Sequence, residues 1–152
     1  MHIQPSQNVT QQSSPAPNLE VSLRAIRDRH ASLSLGLGAY DVKPRATLIF
    51  HGPGTREEKM ARIEEATTQA ITQAQNSLRD CCDNILAPYK STPQTSAIKL
   101  FCRGVNQQYE ENSLALAEYK NSLQEKLLSE FETLEKSVSK VKPRWFNWLS
   151  IV

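Results

Sequence analysis

"TREEKMARIEEATTQAITQAQNSLRDCCDNIL", residues 55–86, is the stretch that decides the fold. From Arg56 to Leu86 it holds no glycine and no proline. Met60, Ile63, Thr67, Ala70, Ala74, Leu78, Cys81 and Ile85 recur at steps of three and four, the spacing of one helix face. The face is narrow and rich in alanine, so it predicts an amphipathic helix with a thin seam. Thr55 and Glu58 form the Thr-x-x-Glu signature of a capping box at its start. Gly52, Pro53 and Gly54 mark a turn before it, and Pro88 ends it.

Outward from that helix, "PYKSTP" at 88–93 reads as a short connection. Thr92 is placed to cap a second helix, with Pro93 in the first turn, where a missing N–H costs nothing. Phe101, Val105, Tyr109, Leu116, Tyr119, Leu123, Leu127, Phe131, Leu134, Val138 and Val141 then keep the helical period, with Asn112 filling one slot. Gly104 is the one helix-weak residue in that span. At ~1.5 Å per residue the second helix would be on the order of 70 Å long, against roughly 45 Å for the first. So short a connection makes the two antiparallel neighbours. The longer helix then needs cover, which residues 19–50 are expected to supply in part.

Within that covering segment, Leu19, Leu23, Ile26 and His30 mark one face of a short helix. Leu33, Leu35 and Leu37 alternate with Ser or Gly in a strand-like way, though glycines weaken a strand. "ATLIF" at 46–50 is a second β-prone run. The two runs suggest a small hairpin, or an extended segment lying on helices. Residues 1–18 contain no acidic residue, lysine or arginine and are rich in Gln, Ser, Asn and Pro. Such a segment cannot bury enough apolar area to offset its ordering entropy, so it is expected to be disordered. The expected fold is all-α: a long antiparallel helical hairpin, coiled-coil-like, over 55–142. A disordered leader covers 1–18, a short helix plus extended or hairpin segment covers 19–54, and an aromatic tail covers 143–152.

Composition narrows the function classes. A hydrophobic fraction of 39% in 152 residues is below the roughly 45–50% of ordinary globular domains, which suits a thin helical seam. The net charge of +2, with both signs mixed, lacks the concentrated basic patch of a nucleic-acid binder. Residues 1–18 have neither the basic n-region nor the apolar run of a cleaved secretory signal. No stretch approaches the ~20 apolar residues of a membrane-spanning helix. Three cysteines, an odd number, argue against a disulfide-framed secreted module.

Candidate sites are few. Glu57–Glu58, Glu64–Glu65 and Glu110–Glu111 are paired carboxylates, but helix neighbours point about 100° apart and do not converge on one substrate. His2, His30 and His51 all lie outside the long helices, which excludes a bundle-type carboxylate–histidine metal centre. "HGPG" lacks the Gly-Lys-Ser/Thr ending of a phosphate-binding loop. No catalytic, cofactor or metal residues are assigned, and the chain is expected to be non-enzymatic. Folding near residues 90–92 would bring Cys81 and Cys82 opposite Cys102. There they serve as small apolar packing groups, or as partners in a disulfide if the protein reaches an oxidising space.

The end of the chain is distinctive. Both tryptophans, Trp145 and Trp148, lie in the last eight residues with Phe146 between them, after Lys136, Lys140, Lys142 and Arg144. Pro143 stops the helix, and the lysines suit its negative C-terminal end. Trp145, Trp148, Leu149 and Val152 can share one face of a short helix. Three uses are open: capping the protein's own seam, docking a partner, or lying at a lipid surface. Trp145, Phe146, Trp148 and Leu149 are expected to bind a partner.

"MHIQPSQNVTQQSS", the front of the chain, resembles the uncleaved, disordered signals at the start of bacterial type III secretion substrates. That leader, a small helical body and a hydrophobic tail together are similar to small secreted or accessory components of those machines, such as needle, rod and assembly-control proteins. The resemblance is compositional over the first eighteen residues and architectural over the rest, and it carries no functional residue across. The chain is longer than the needle subunits of that class. The resemblance implies an assembly or substrate-control factor, cytoplasmic before export and then secreted or at the cell surface. Its partners would be apparatus components or a chaperone, and self-association is compatible with it. The alternative is a peripheral membrane protein using the basic–aromatic tail.

Overall fold

The computed structural model describes residues 17–140, all-α with no strand among the described residues. The helices are α1 (Leu19–Gly38), α2 (Val42–His51), α3 (Arg56–Leu86), α4 (Ser96–Ala117) and α5 (Tyr119–Lys140), with a 3-10 turn at Ala87–Tyr89. The chain divides into two compact units. Of the described residues, one holds 17–35 and 73–117, the other 36–72 and 118–140.

Helix α3 has the bounds its sequence predicts. Its capping box is formed reciprocally: Glu58 N–H donates to Thr55 Oγ1 at 3.2 Å and Thr55 N–H donates to Glu58 Oε1 at 3.3 Å. Gly54 holds φ +109°, a conformation that favours glycine, and this sets the direction of entry. Ile63, Thr67, Ile71, Ala74, Leu78 and Cys82 are the buried residues of α3. Thr67 is tolerated there because its hydroxyl donates to the Ile63 carbonyl at 3.0 Å.

In the first unit, α1, the latter part of α3 and α4 pack around Ile26, Ala74, Leu78, Tyr89, Phe101, Val105 and Leu116. Gln75 meets Ser113, Arg79 meets Tyr109 and Tyr89 meets Phe101, so α3 and α4 run antiparallel about a connection centred near Gln94. Gly104 has a steric reason: a Cβ there would stand 2.8 Å from Leu19 Cδ1, so α1 approaches α4 closely at this point. In the second unit, α2 and α5 share a core with the first part of α3. Ala46 and Ile49 pack with Ile63, Leu127 and Phe131, and the Phe50 and Phe131 rings meet edge-on at 5.3 Å. Residues 19–50 thus do cover the later helices.

Four expectations are corrected. The leucine run at 33–37 is the end of α1: Leu33 and Leu37 stand one turn apart with Leu37 buried, while Leu35 is 76% exposed. "ATLIF" is helical too, in α2, because Val42, Ala46, Ile49 and Phe50 then all face Leu127 and Phe131, and packing overrides β-propensity. The cap of α4 is Thr95 rather than Thr92: Ile98 N–H donates to Thr95 Oγ1 at 3.3 Å, and Thr92 Oγ1 instead donates to the Tyr89 carbonyl at 2.9 Å. Finally, the long second helix is two, interrupted at Glu118. Gln75 Nε2 donates to the Ser113 carbonyl at 3.0 Å one turn before the interruption, and a side chain entering the backbone ladder is a known cause of such breaks. The leader through residue 16 and everything from 141 onward lie outside the described residues.

Leu123 is 3% exposed on the buried face of α5, whereas Asn121 is exposed. Leu123→Asp should lose roughly 3 kcal/mol or more of stability, because it buries an unpaired carboxylate. Asn121→Asp should stay within about 0.5 kcal/mol of the wild type. Urea unfolding followed by circular dichroism separates the two, and equal midpoints would contradict the helix register.

Candidate functional site

The aromatic residues assigned to partner binding, Trp145, Phe146, Trp148 and Leu149, lie outside the described residues. The thiols and charged groups lie within them. All three cysteines are free and belong to the first unit. The hairpin centre near Gln94, rather than 90–92, puts Cys102 opposite Leu86, and Cys81 and Cys82 opposite Gln107 and Asn106. The thiols are therefore staggered by about one helical turn instead of level.

Cys82 is 1% exposed, while Cys81 and Cys102 are half-buried. Burial pushes the Cys82 thiol up to about 11, and the neighbouring Cys81 adds to the shift. A thiol held protonated in this way is a packing group rather than a nucleophile.

A polar seam runs beside this core. Arg27 Nη1 donates to Gln108 Oε1 at 3.4 Å, and Gln108 Nε2 donates to Asn112 Oδ1 at 2.8 Å. Arg29 Nη1 donates to Ser77 Oγ at 3.1 Å, and the Arg79 guanidinium lies 3.9 Å from the centre of the Tyr109 ring. Asn112 thus fills its slot in the apolar stripe as a hydrogen-bond acceptor. Sequence periodicity misses this seam, because its members are spread over three helices and share no local spacing.

In the second unit the turn before α3 is closed by cations. Lys59 Nζ donates to the Phe50 carbonyl at 2.7 Å and Arg62 Nη1 donates to the Pro53 carbonyl. Those cations are engaged with backbone carbonyls. Arg56 and Glu135 form a two-pronged ion pair at 2.8 and 3.2 Å. The hydrogen bond from Arg56 holds the Glu135 carboxyl below its usual range, and stability from this pair is lost as pH falls through that lowered value. An open trough between α2 and α5 is lined by Val42, Lys43, Ser122, Glu125, Lys126 and Ser129 among others.

No family model, curated protein or solved structure matches the chain. Among the described residues no three His, Cys, Asp or Glu side chains are grouped to hold a metal ion. No described helix is long and apolar enough to cross a membrane.

What stands out instead is surface. Leu100 and Leu114 of α4 are 60% and 70% exposed, on a helix whose other face buries Phe101, Val105 and Leu116. Sequence reasoning took its stripe from that inner face and passed over the outer leucines. Exposed leucines share the residue type of buried ones, and periodicity alone does not say which of two faces meets solvent.

Native Cys82 should resist iodoacetamide at pH 8.5, while Cys81 and Cys102 are labelled first. Because an unfolded thiol ionises near 9.0 and the folded one near 11, the stability Cys82 contributes is complete below about pH 9 and is lost as pH rises toward 11. Peptide mapping against pH checks this. Labelling of Cys82 as fast as of Cys102 would contradict its burial.

Proposed function

We propose that the chain is a non-enzymatic, helical protein-interaction factor, a secreted or accessory component of a bacterial type III secretion apparatus acting in assembly or substrate control. The observation that supports the interaction reading is the outer face of α4, where two large leucines stand in water on a helix already buried along its other side. Helix surfaces of this kind recognise partners through apolar anchors at regular spacing, framed by polar groups. The export assignment is supported by the uncharged, Gln/Ser/Asn-rich leader. The aromatic tail adds a second docking element, with Trp145 and Trp148 as anchors of the type enriched at interface centres.

Residues 1–16 fused to a reporter should be exported by a bacterium carrying a type III apparatus and retained in a strain lacking it. The chain beginning at Pro17 keeps Asn18, whose Oδ1 accepts from Val21 N–H at 3.1 Å and caps α1. It should therefore melt within a few degrees of the full chain, yet stay inside the cell. Export of the shortened chain would contradict the assignment. Binding of the full chain to anionic vesicles, lost with Trp145→Ala and Trp148→Ala together, would instead favour attachment to a membrane surface.

A further inference from the structure

The outer face of α4 carries a pattern that names its occupant. Leu100, Arg103, Gln107, Glu111 and Leu114 are all exposed and follow one another at steps of three, four, four and three. At about 100° per residue these five positions fall within roughly 80° of one another, a single stripe about 21 Å long. The spacing reads the same in both directions from Gln107. The chemistry is self-complementary about the same point: leucine at each end, a cation on one side and an anion on the other, and an amide in the middle. The side chains of Arg103, Gln107 and Glu111 make no hydrogen bond or ion pair among the described residues, so their polar ends are uncommitted.

We infer that α4 is an antiparallel self-association surface whose occupant is the same stripe of a second copy of this chain, related by a two-fold axis through Gln107. In that arrangement Leu100 meets Leu114 of the second copy, and Arg103 meets Glu111 of the second copy. The two Gln107 amides face each other on the axis, where each offers both donor and acceptor. Each contact off the axis is made twice, as an isologous two-fold interface requires. A parallel arrangement would set Arg103 against Arg103 and Glu111 against Glu111, so the charges select the antiparallel one. A stripe four turns long falls short of the roughly 800 Å² per partner of a standard stable interface, so the dimer depends on concentration. This inference rests on α4 being an interaction face and is independent of the export assignment.

Sedimentation equilibrium of the full chain, run from micromolar to about millimolar, tests it. The mass should climb from 17.1 kDa toward twice that value. Arg103→Glu alone and Glu111→Arg alone set like charges against each other and should each weaken association about tenfold or more. The two together restore the pairing and should return it to near the wild-type level. Leu100→Asp should weaken it as well, while Leu48→Asp on α2, where Leu48 is 69% exposed, should leave it unchanged. All four substituted positions are exposed, so circular dichroism should show unaltered helicity. Failure of the double reversal to restore association would overturn the proposal. So would a monomer at every concentration. If that monomer also shifts its tryptophan emission on Leu100→Asp, the occupant is the chain's own tail. In either case an exported but monomeric chain leaves the functional reading standing.

Discussion

Everything described depends on the buried seam of α3. Ile63, Thr67, Ile71, Ala74, Leu78 and Cys82 lie along one face of a 31-residue helix, and both units draw on it for their cores. None of the six is aromatic, so the seam gains its stability from many modest aliphatic contacts. Two of the six seam residues carry polar atoms, and each is neutralised locally. Thr67 bonds back to its own helix, and Cys82 keeps its proton. A thin seam of this kind has little to spare. One unpaired charge at a buried position of the second unit such as Leu123 removes a large part of what holds that unit together.

A helix with so narrow a buried face commits its neighbours along one side only. Helix α4 shows the consequence. Its inner face is spent on Phe101, Val105 and Leu116, and its outer face still carries Leu100 and Leu114. A globular core large enough to wrap α4 would have covered both. The polar contacts of Arg27 with Gln108, Gln108 with Asn112 and Arg79 with Tyr109 lie on the inner side of α4, beside its apolar residues, where α1 and α3 meet it. The outer stripe is therefore held on a helix positioned from two sides, which suits a recognition surface.

Much of α3 was legible because its signals are local. The Thr55–Glu58 box, the glycine–proline turn and the run free of helix breakers each act within a few residues, and each appears as read. What was illegible depended on partners distant in sequence. The "ATLIF" run has strand-like residues, and only Leu127 and Phe131, some eighty residues later, make it a helix. The break at Glu118 has no glycine or proline to announce it, and the side chain that bonds the Ser113 carbonyl before it, Gln75, comes from another helix. Thr92 and Thr95 are both reasonable caps, and the carbonyl of Tyr89 decides between them. The outer stripe of α4 was hidden for a related reason: which face of a helix is inward is a property of its neighbours.

Native-state amide hydrogen exchange, followed residue by residue across 17–140, tests the central role of α3 most directly. The slowest amides should run along α3 from Ile63 to Cys82, with the facing turns around Val105 and Leu127 next, and α2 and the ends of α1 exchanging faster. Protection in α3 no greater than in α2 would contradict the seam's role in the core of each unit.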